Sequence, residues 1–313
     1  MKLIAVIDAY ISLQQSIGLH FETAKRTLHQ FGRQMGDIQI DDVQESEVLA
    51  FLQGAGVLTG SWRNKYSLLS CFYRFAISRD YVKNSPLPLS QPKFPRQQTP
   101  YIYSTEELQR LLDATLTIAQ SRQQAPTFRA LILLLYGSGM RVGEAISLTI
   151  RDVDLEQRII TVRDTKFYKT RLVPIGPKLT SELAALAKLR RQRPMPKGED
   201  SQFFTTRTGG AWTYRRVITL FQLVRRAACI GCPPGEPRPP RLHELRHTAA
   251  VHRLVSWYRS GQDVQRLLPQ LATYLGHVDI GSTQRYLQMT PELLQEASRR
   301  FATYANCGES HEQ

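Results

Sequence analysis

A proline-rich segment after residue 84 constrains the fold of this chain more than any other feature of its sequence. Five prolines lie within residues 86–100. Because proline has no backbone N–H to donate to a helix, we predict an extended linker here. The 313 residues are enough for two domains of ordinary size. We therefore predict one domain over residues 1–84, a linker over 85–100 and a second domain over 101–313.

The first domain is predicted to consist of short amphipathic helices. Its apolar residues recur every three or four positions, which places them on one face of a helix. Two such stripes are Leu28, Phe31 and Met35, and Leu69, Phe72 and Ala76. Glycines at 54, 56 and 60 mark a loop between the last two helices.

The second domain is predicted to combine helices with a small β-sheet. Ser104 and Glu107 form a capping box, which marks the start of a helix. Alternating β-branched residues over 158–162 and 170–175 predict a pair of strands. Further helices are predicted over 129–136, 144–148, about 214–228, from 243 onward and over 291–303. The predicted fold class is therefore mainly α with a small β-sheet.

The chain is strongly basic, with 41 Lys and Arg against 27 Asp and Glu and a formal net charge of +14. Basic side chains that meet phosphate groups release condensed counterions, so this balance predicts a nucleic acid as partner. Between residues 63 and 96, seven basic residues lie among aromatic ones with a single acid. Arg63, Lys65 and Arg74 are predicted DNA contacts in this stretch, and an ordinary solvated surface is the alternative.

Neither a membrane span nor a disulfide framework is expected. The longest apolar run, Ala130 to Tyr136, has seven residues, whereas a membrane-spanning helix needs about 20. The N-terminal apolar stretch is stopped by Asp8, so no secretory signal is predicted. Cys229 and Cys232 form a lone CxxC, which we interpret as structural thiols, with a metal or redox site as the alternative. The expected location is the cytoplasm.

Five segments of the second domain place charged, histidine or tyrosine side chains at predicted helix ends and turns. They contain Arg141 with Glu144, Lys166, His243 with Arg246, His277, and Tyr286. Taken singly, each has an ordinary structural explanation, such as a salt bridge, a solvated lysine or a hydrogen-bonded core histidine. No cluster of acidic residues accompanies them, which argues against a nuclease that depends on two metal ions.

These residue types together suit metal-free chemistry at a phosphodiester. Two arginines can neutralise the negative charge that develops on the non-bridging oxygens in the transition state. A tyrosine phenol becomes a nucleophile when a cationic pocket lowers its pKa. A lysine or histidine can protonate the departing 5′ oxygen. No metal ion or other cofactor is therefore expected.

The order and spacing of these segments resemble the tyrosine recombinase, or phage integrase, family over nearly the whole chain. The segments are GMRVGE at 139–144, TK at 165–166, RLVPI at 171–175, HELRHT at 243–248, LGH at 275–277, and Tyr286. The resemblance implies that Tyr286 attacks the scissile phosphate and forms a 3′-phosphotyrosyl link. Arg141 and Arg246 would grip the phosphate, and Lys166 would be the general acid.

The resemblance also implies supporting roles. His243 would assist proton transfer, His277 would donate a hydrogen bond to the phosphate, and Glu144 would orient the pocket. His247, directly after the second arginine, is interpreted as structural. The predicted DNA contacts of the second domain are Lys169 and Arg171, on the predicted hairpin.

A two-domain, Xer-like arrangement is implied for the whole chain. The helical first domain would be a core-binding domain that closes around double-stranded DNA with the catalytic domain, and no arm-binding domain is expected. A homotetramer on two DNA sites is implied, with partner recombinases in that assembly as the alternative. The helix over 291–303 would dock on a neighbouring subunit, with packing on its own domain as the alternative.

The chain departs from the family pattern in one place. The gap between Arg246 and His277 is 31 residues, longer than the family's usual spacing, and is enlarged at 257–261 and 267–270. The residues from 275 to 291 look most like recombinases of transposons and symbiotic plasmids, so the predicted function is integration, excision or transposition of a mobile element. Two alternatives stay open: a type IB topoisomerase-like nicking-closing enzyme, and a catalytically inactive DNA-binding relative.

Overall fold

The computed structural model of the protein describes residues 1–19, 21–54, 58–94, 99–117, 124–163, 170–235, 238–277, 279 and 281–288, together with 293, 295–296 and 298–299. These residues are mainly helical and include one three-stranded sheet. The predicted fold class is therefore confirmed. The chain divides into two compact units, Met1–Gln98 and Thr99–Gln313. Within the described ranges, no helix is long and apolar enough to cross a membrane.

Helices packed on an aromatic and aliphatic core make up the first unit. They are α1 (Leu3–Ser16), α2 (Glu22–Met35), α3 (Glu45–Gln53) and α4 (Gly60–Ser78), with a 3-10 turn at Ile40–Asp42. The apolar stripes predicted from their spacing face this core, in which Leu28, Phe31 and Phe72 are completely buried.

The described part of the proline-rich segment is attached to the first unit. Leu87 and Phe94 pack against that unit's core. The Tyr66 hydroxyl donates a hydrogen bond to the carbonyl oxygen of Pro88, at 3.2 Å. The segment is thus not free of the first unit before residue 94, and the division of the chain into the three predicted parts stays a prediction.

Helices also dominate the second unit. They are α5 (Thr105–Thr117), α6 (Ala125–Ser138), α7 (Val142–Ser147), α8 (Pro177–Arg191), α9 (Tyr214–Ala227), α10 (Glu244–Arg259), α11 (Val264–Leu275) and α12 (Gly281–Gln284), with 3-10 turns at Gly198–Asp200 and Arg285–Gln288. The predicted capping box is present before α5, because the Ser104 hydroxyl accepts from the Glu107 amide and the Glu107 carboxylate accepts from the Ser104 amide. The helix predicted over 129–136 lies inside α6. The helices predicted over 144–148 and about 214–228 correspond to α7 and α9, and their ends differ from the observed ones by at most two residues.

An antiparallel sheet in the order β1-β2-β3 lies beside these helices. Its strands are β1 (Val153–Asp154), β2 (Ile159–Val162) and β3 (Arg171–Pro174), with Ile160 opposite Val173. The predicted pair of strands is confirmed as β2 and β3. Strand β1 was not predicted, because two residues are too short to show an alternating pattern. The turn that carries Lys166 and Lys169 lies outside the described residues.

Packing among α6, α10 and α11 positions the candidate site. Helix α10 contacts both α6 and α11, so the turn after α6 meets the first turn of α10 and the last turn of α11. Gly139 ends α6 with a φ of +61°, and a Cβ there would collide with the Leu275 side chain. Glycine thus permits the close approach of this turn to α11.

Few residues of the predicted C-terminal helix over 291–303 are described. One of them, Leu293, is 1% exposed and lies in the apolar cluster formed by residues of α10 and α11. Glu296 accepts a hydrogen bond from Arg259 Nε at 3.2 Å. These two residues therefore pack on their own unit, and docking of the tail on a neighbouring subunit stays a prediction.

Candidate active site

Arg141 stands at the boundary between the turn after α6 and the start of α7. Its backbone amide donates to Glu144 Oε2 at 3.0 Å, and its Nη1 donates to Glu144 Oε1 at 2.9 Å. Glu144 therefore holds both the backbone and the side chain of Arg141, as a carboxylate in the first turn of a helix can. The Arg141 side chain keeps 39% of its surface exposed, which leaves room for a ligand on its other side.

Arg246 comes from the first turn of α10 and is buried. Its Nη1 donates to the carbonyl of Gly139 and its Nη2 to the carbonyl of Leu275, both at 2.7 Å. Burial, and then the charge of Arg141, lower the pKa of Arg246 to about 10. The guanidinium is therefore positively charged at neutral pH and is fixed in orientation by two backbone carbonyls.

Three consecutive carbonyl oxygens at the C-terminal end of α11 each accept a hydrogen bond from one arginine. The pairs are Tyr274 with Arg171 at 3.2 Å, Leu275 with Arg246 at 2.7 Å, and Gly276 with Arg141 at 3.1 Å. The last carbonyls of a helix carry partial negative charge and have no partner within the helix. This helix end thus concentrates three positive charges at one place.

Arg171 completes this arrangement from strand β3. Its Nη1 and Nη2 donate to the Glu144 carboxylate at 3.2 and 2.7 Å, and both side chains are about 10% exposed. Burial alone would raise the pKa of the Glu144 carboxyl, but the hydrogen bonds and charge of Arg171 and Arg141 outweigh it and lower that pKa. The Arg171 guanidinium faces Glu144 and α11 and is largely removed from solvent, and the expected contact of this residue with DNA stays a prediction.

His243 and His277 lie near the arginines and are both held neutral. Burial, followed by the charges of Arg246 and Arg141, lowers the pKa of His243. The same causes lower the pKa of His277 to about 4. His277 Nδ1 lies 2.6 Å from Thr283 Oγ1, so the hydroxyl of α12 orients the ring and leaves Nε2 for another partner.

Tyr286 lies in the 3-10 turn that follows α12 and is 2% exposed. Its ring stacks on His277, with centroids 6.0 Å apart. Burial raises the pKa of the phenol, although the charges of Arg246 and Arg141 act in the opposite direction. In this environment the phenol is protonated at neutral pH.

His247 is a site residue whose contact sequence reasoning missed. It was interpreted as structural, but its Nδ1 lies 3.2 Å from the Tyr286 hydroxyl. Its ring also meets the His243 ring edge to face, with centroids 5.0 Å apart. The available signal was the i, i+4 spacing of the two histidines, which places both on one face of α10.

The structure brings most of the predicted second-domain residues together. Arg141, Glu144, His243, Arg246, His277 and Tyr286 surround one place between α7, α10 and α11. Lys166 and Lys169 lie outside the described residues.

The predicted DNA contacts of the first unit lie on α4. The Arg63 guanidinium covers the Phe94 ring at 4.4 Å, and Arg74 is exposed. Lys65 Nζ donates to the Phe51 carbonyl at 2.7 Å and lies over the Phe51 ring. The Lys65 ammonium is thus engaged within its own unit, and DNA contact by these three residues stays a prediction.

Comparison with known proteins adds three findings. The model of the phage integrase family matches residues 103–292. A Sinorhizobium fredii protein named integrase/recombinase y4rB is 33% identical over 301 residues, which cover 94% of this chain and 95% of that protein. Tyrosine recombinase XerC of Oceanobacillus iheyensis is 32% identical over 254 residues, or 79% of this chain and 75% of that protein.

The fold has a solved counterpart. The Tn1549 transposon integrase, in complex with transposon right end DNA, superposes with a TM-score of 0.73 at 18% identity. The match covers 97% of this chain and 100% of that chain. At this identity the similarity establishes the shared fold.

Proposed function

The chain belongs to the phage integrase family, and we propose that Tyr286 is the nucleophile with which it cuts DNA. The protein is a site-specific tyrosine recombinase, an enzyme that cleaves and rejoins DNA strands. The observation that carries the residue assignment is the position of the Tyr286 phenol among Arg141, Arg246, His247 and His277. A buried phenol beside fixed guanidinium groups is the arrangement that phosphoryl transfer to tyrosine requires.

The arginines bind the scissile phosphate in this proposal. Arg141 donates hydrogen bonds to Glu144 and to a backbone carbonyl, and Arg246 donates to two backbone carbonyls. These hydrogen bonds fix the orientation of each guanidinium toward the phosphate. Preorganised donors of this kind stabilise the charge on the non-bridging oxygens without reorganisation during the reaction. His277 adds a neutral donor to the same phosphate.

The cleavage step transfers the phosphoryl group from one oxygen to another. The Tyr286 hydroxyl oxygen bonds to phosphorus as the bond from phosphorus to the 5′ oxygen breaks. The phenolic proton passes to a neutral imidazole of the site, and Lys166 protonates the 5′ oxygen with the assistance of His243. The products are a 3′-phosphotyrosyl link and a free 5′ hydroxyl, and reversal of the step on a second DNA end rejoins the strands.

Double-stranded DNA as the substrate agrees with the net charge of +14. We further propose that four copies assemble on two DNA sites and that the reaction moves a mobile element by integration, excision or transposition. The support is the resemblance of residues 275–291 to recombinases of transposons and symbiotic plasmids and the similarity to a transposon integrase.

A suicide substrate tests the nucleophile. A duplex from the ends of the element that encodes the chain carries a nick close to the cleavage site, so that a short fragment diffuses away and traps the adduct. We expect a denaturation-resistant adduct that peptide mapping places at Tyr286. The Tyr286→Phe variant should bind this DNA with unchanged salt dependence and form no adduct.

Tyr136→Phe is the matched control, because the Tyr136 hydroxyl lies 2.9 Å from His252 Nδ1 and the charge that acts on it is that of Arg253, not that of Arg141 or Arg246. It should form the adduct at the wild-type rate. An adduct that persists in Tyr286→Phe would move the nucleophile to another tyrosine, with Tyr274 the first to examine. Tight binding of the element ends by the wild type without any adduct would contradict the proposal.

A further inference from the structure

The Tyr286 phenol has an imidazole nitrogen within reach of its proton. His247 Nδ1 lies 3.2 Å from the Tyr286 hydroxyl oxygen, and the two ring centroids are 5.5 Å apart. His247 projects from α10 one turn after His243, and its side chain is 19% exposed. The contact joins residues 39 positions apart in the chain, so it is a product of the tertiary fold.

A buried carboxylate lies on the opposite edge of the same imidazole. Glu244 Oε2 is 3.7 Å from His247 Nε2, and the Glu244 side chain is 5% exposed. Its other oxygen, Oε1, accepts from Arg241 Nε at 3.1 Å and Nη2 at 3.0 Å. Oε2 is buried and has no hydrogen-bond partner among the described residues. One carboxylate oxygen is thus anchored, and the other faces the histidine.

We propose that His247 is the general base that removes the phenolic proton of Tyr286, and that Glu244 is the positioning residue that holds the imidazole for this step. The inference rests on Tyr286 being the nucleophile, as proposed above. His247 Nδ1 takes the proton as the Tyr286 oxygen bonds to phosphorus, while the 5′ oxygen leaves with a proton from Lys166. In the rejoining step, the same nitrogen returns the proton to the departing phenolate.

The charges around the pair are compatible with this role. Burial raises the pKa of Tyr286, so the phenol needs an acceptor at neutral pH. Burial, followed by the neighbouring His243 and Arg246, lowers the pKa of His247 to about 4, with further contributions from Arg241 and His277. The imidazole is therefore unprotonated before the reaction.

The negative charges of the site favour the protonated product. A bound phosphodiester adds a negative charge beside His247 and raises its pKa toward the operating pH, where a general base works best. Glu244 stabilises the imidazolium once the proton has moved. The arrangement of carboxylate, imidazole and hydroxyl follows the same logic as other activated nucleophiles.

The same helix provides a matched control. His252 Nδ1 lies 2.9 Å from the Tyr136 hydroxyl, so α10 carries two contacts between a histidine and a tyrosine with similar geometry. Only the His247 contact involves the proposed nucleophile. His252→Asn therefore removes a comparable interaction from the same helix and leaves Tyr286 and its neighbours in place.

The experiment measures single-turnover adduct formation on the nicked duplex described above. Removal of a general base costs about 10²–10⁴-fold in rate, so we expect a loss of that size for His247→Asn with unchanged DNA affinity. Glu244→Gln should show a smaller loss, and His252→Asn should cleave at the wild-type rate. Cleavage by His247→Asn at the wild-type rate would overturn the inference.

Two chemical substitutions separate a general base from a merely structural histidine. Incorporation of 3,5-difluorotyrosine at position 286 lowers the pKa of the nucleophile and should restore much of the rate lost in His247→Asn. It should not restore Lys166→Ala, whose defect concerns the leaving group. A sulfur atom in place of the bridging 5′ oxygen should restore Lys166→Ala and leave His247→Asn slow.

Absence of rescue by the fluorinated tyrosine, in a variant that binds DNA normally, would assign His247 to packing. Should His247→Asn fail to fold, Glu244→Gln carries the same rescue test, because it leaves the imidazole in place. Absence of any adduct in the wild type would instead refute the proposed nucleophile. The two proposals therefore fail in distinguishable ways.

Discussion

Replacement of Glu144 by alanine should destabilise the second unit, because this carboxylate compensates a buried positive charge. Glu144 accepts four hydrogen bonds, two from Arg141 and two from Arg171. Glu144 and Arg171 are each about 10% exposed, whereas Arg141 is 39% exposed. The Glu144→Ala variant would leave the Arg171 guanidinium buried with the Tyr274 carbonyl as its remaining described acceptor.

The expected loss follows from the burial of the pair. Removal of one partner of a buried ion pair costs about 3–5 kcal/mol, and residual exposure places this pair near about 3 kcal/mol. Arg141 adds little, because its charge is accessible to water. For a unit of this size, about 3 kcal/mol corresponds to a decrease in Tm of about 6–12 °C.

Differential scanning calorimetry at pH 7 measures this decrease. Glu182→Ala is the control, because its 3.8 Å pair with Arg129 is partly exposed and should contribute at most about 1 kcal/mol. The double variant Glu144→Ala/Arg171→Met should be more stable than Glu144→Ala, since it removes the uncompensated charge.

The pH dependence provides a second check. Because the pKa of Glu144 is lowered in the folded chain, its contribution is present above its ordinary pKa of 4.5 and is lost as the pH falls through the folded value. The Tm difference between wild type and Glu144→Ala should therefore shrink in acid. Equal Tm values for Glu144→Ala and Glu182→Ala at pH 7 would refute the reasoning.

Four further outcomes are expected. Gly276→Ala should lower Tm and slow cleavage more than Gly198→Ala does. Both glycines have a positive φ, but an added Cβ at 276 would lie 2.7 Å from Arg171 Nη1, whereas an added Cβ at 198 would have no atom within 4 Å. Equal effects of the two substitutions would contradict this expectation. Arg246→Lys keeps the charge but loses the two-carbonyl anchor, so adduct formation should fall about 10²–10³-fold, and a wild-type rate would remove Arg246 from the reaction. Burial and Arg246 lower the pKa of His277 to about 4, so His277 takes up a proton at a higher pH in the unfolded chain than in the folded chain. Protonation of this residue should therefore lower the free energy of unfolding by on the order of 1–2 kcal/mol between pH 6.5 and pH 4. The His277→Asn variant should show a flatter curve of Tm against pH. EDTA should leave the cleavage rate unchanged, because guanidinium groups supply the positive charge, and a loss that Mg²⁺ restores would contradict that expectation.

Many of the helices and two of the strands could be predicted because their signals are local, whereas α8 (Pro177–Arg191) was not predicted. The capping box at Ser104, the apolar run that became α6 and the alternation in β2 and β3 each depend on residues within a few positions of one another. Strand β1 was not predicted, since two residues are too few to show the alternation of apolar and polar residues that marks a strand. The proline-rich segment was recognised by composition, but composition does not show that Leu87 and Phe94 pack on the first unit.

The sequence predicted which residues form the candidate site, but it did not predict the contacts among them. Arg141, Arg246, His277 and Tyr286 were chosen from their order and chemistry, and the structure places them around one site. The environment of Arg171 was missed, because a basic residue on a hairpin has the same sequence signature whether it faces DNA or a buried carboxylate.

By itself, the sequence of this chain determined its periodic elements, its positive charge and the chemical groups available for phosphoryl transfer. The tertiary structure alone decided which of those groups touch. Arg141 and Arg171 reach the last carbonyls of α11 from a glycine turn and a strand that lie more than 100 positions away along the chain, and Arg246 reaches them from α10. His247 reaches Tyr286 for the same reason, since the 3-10 turn after α12 folds back onto α10. Local spacing encodes helices and strands, but packing between distant elements sets the contacts, the burial and the pKa shifts that turn those side chains into a site.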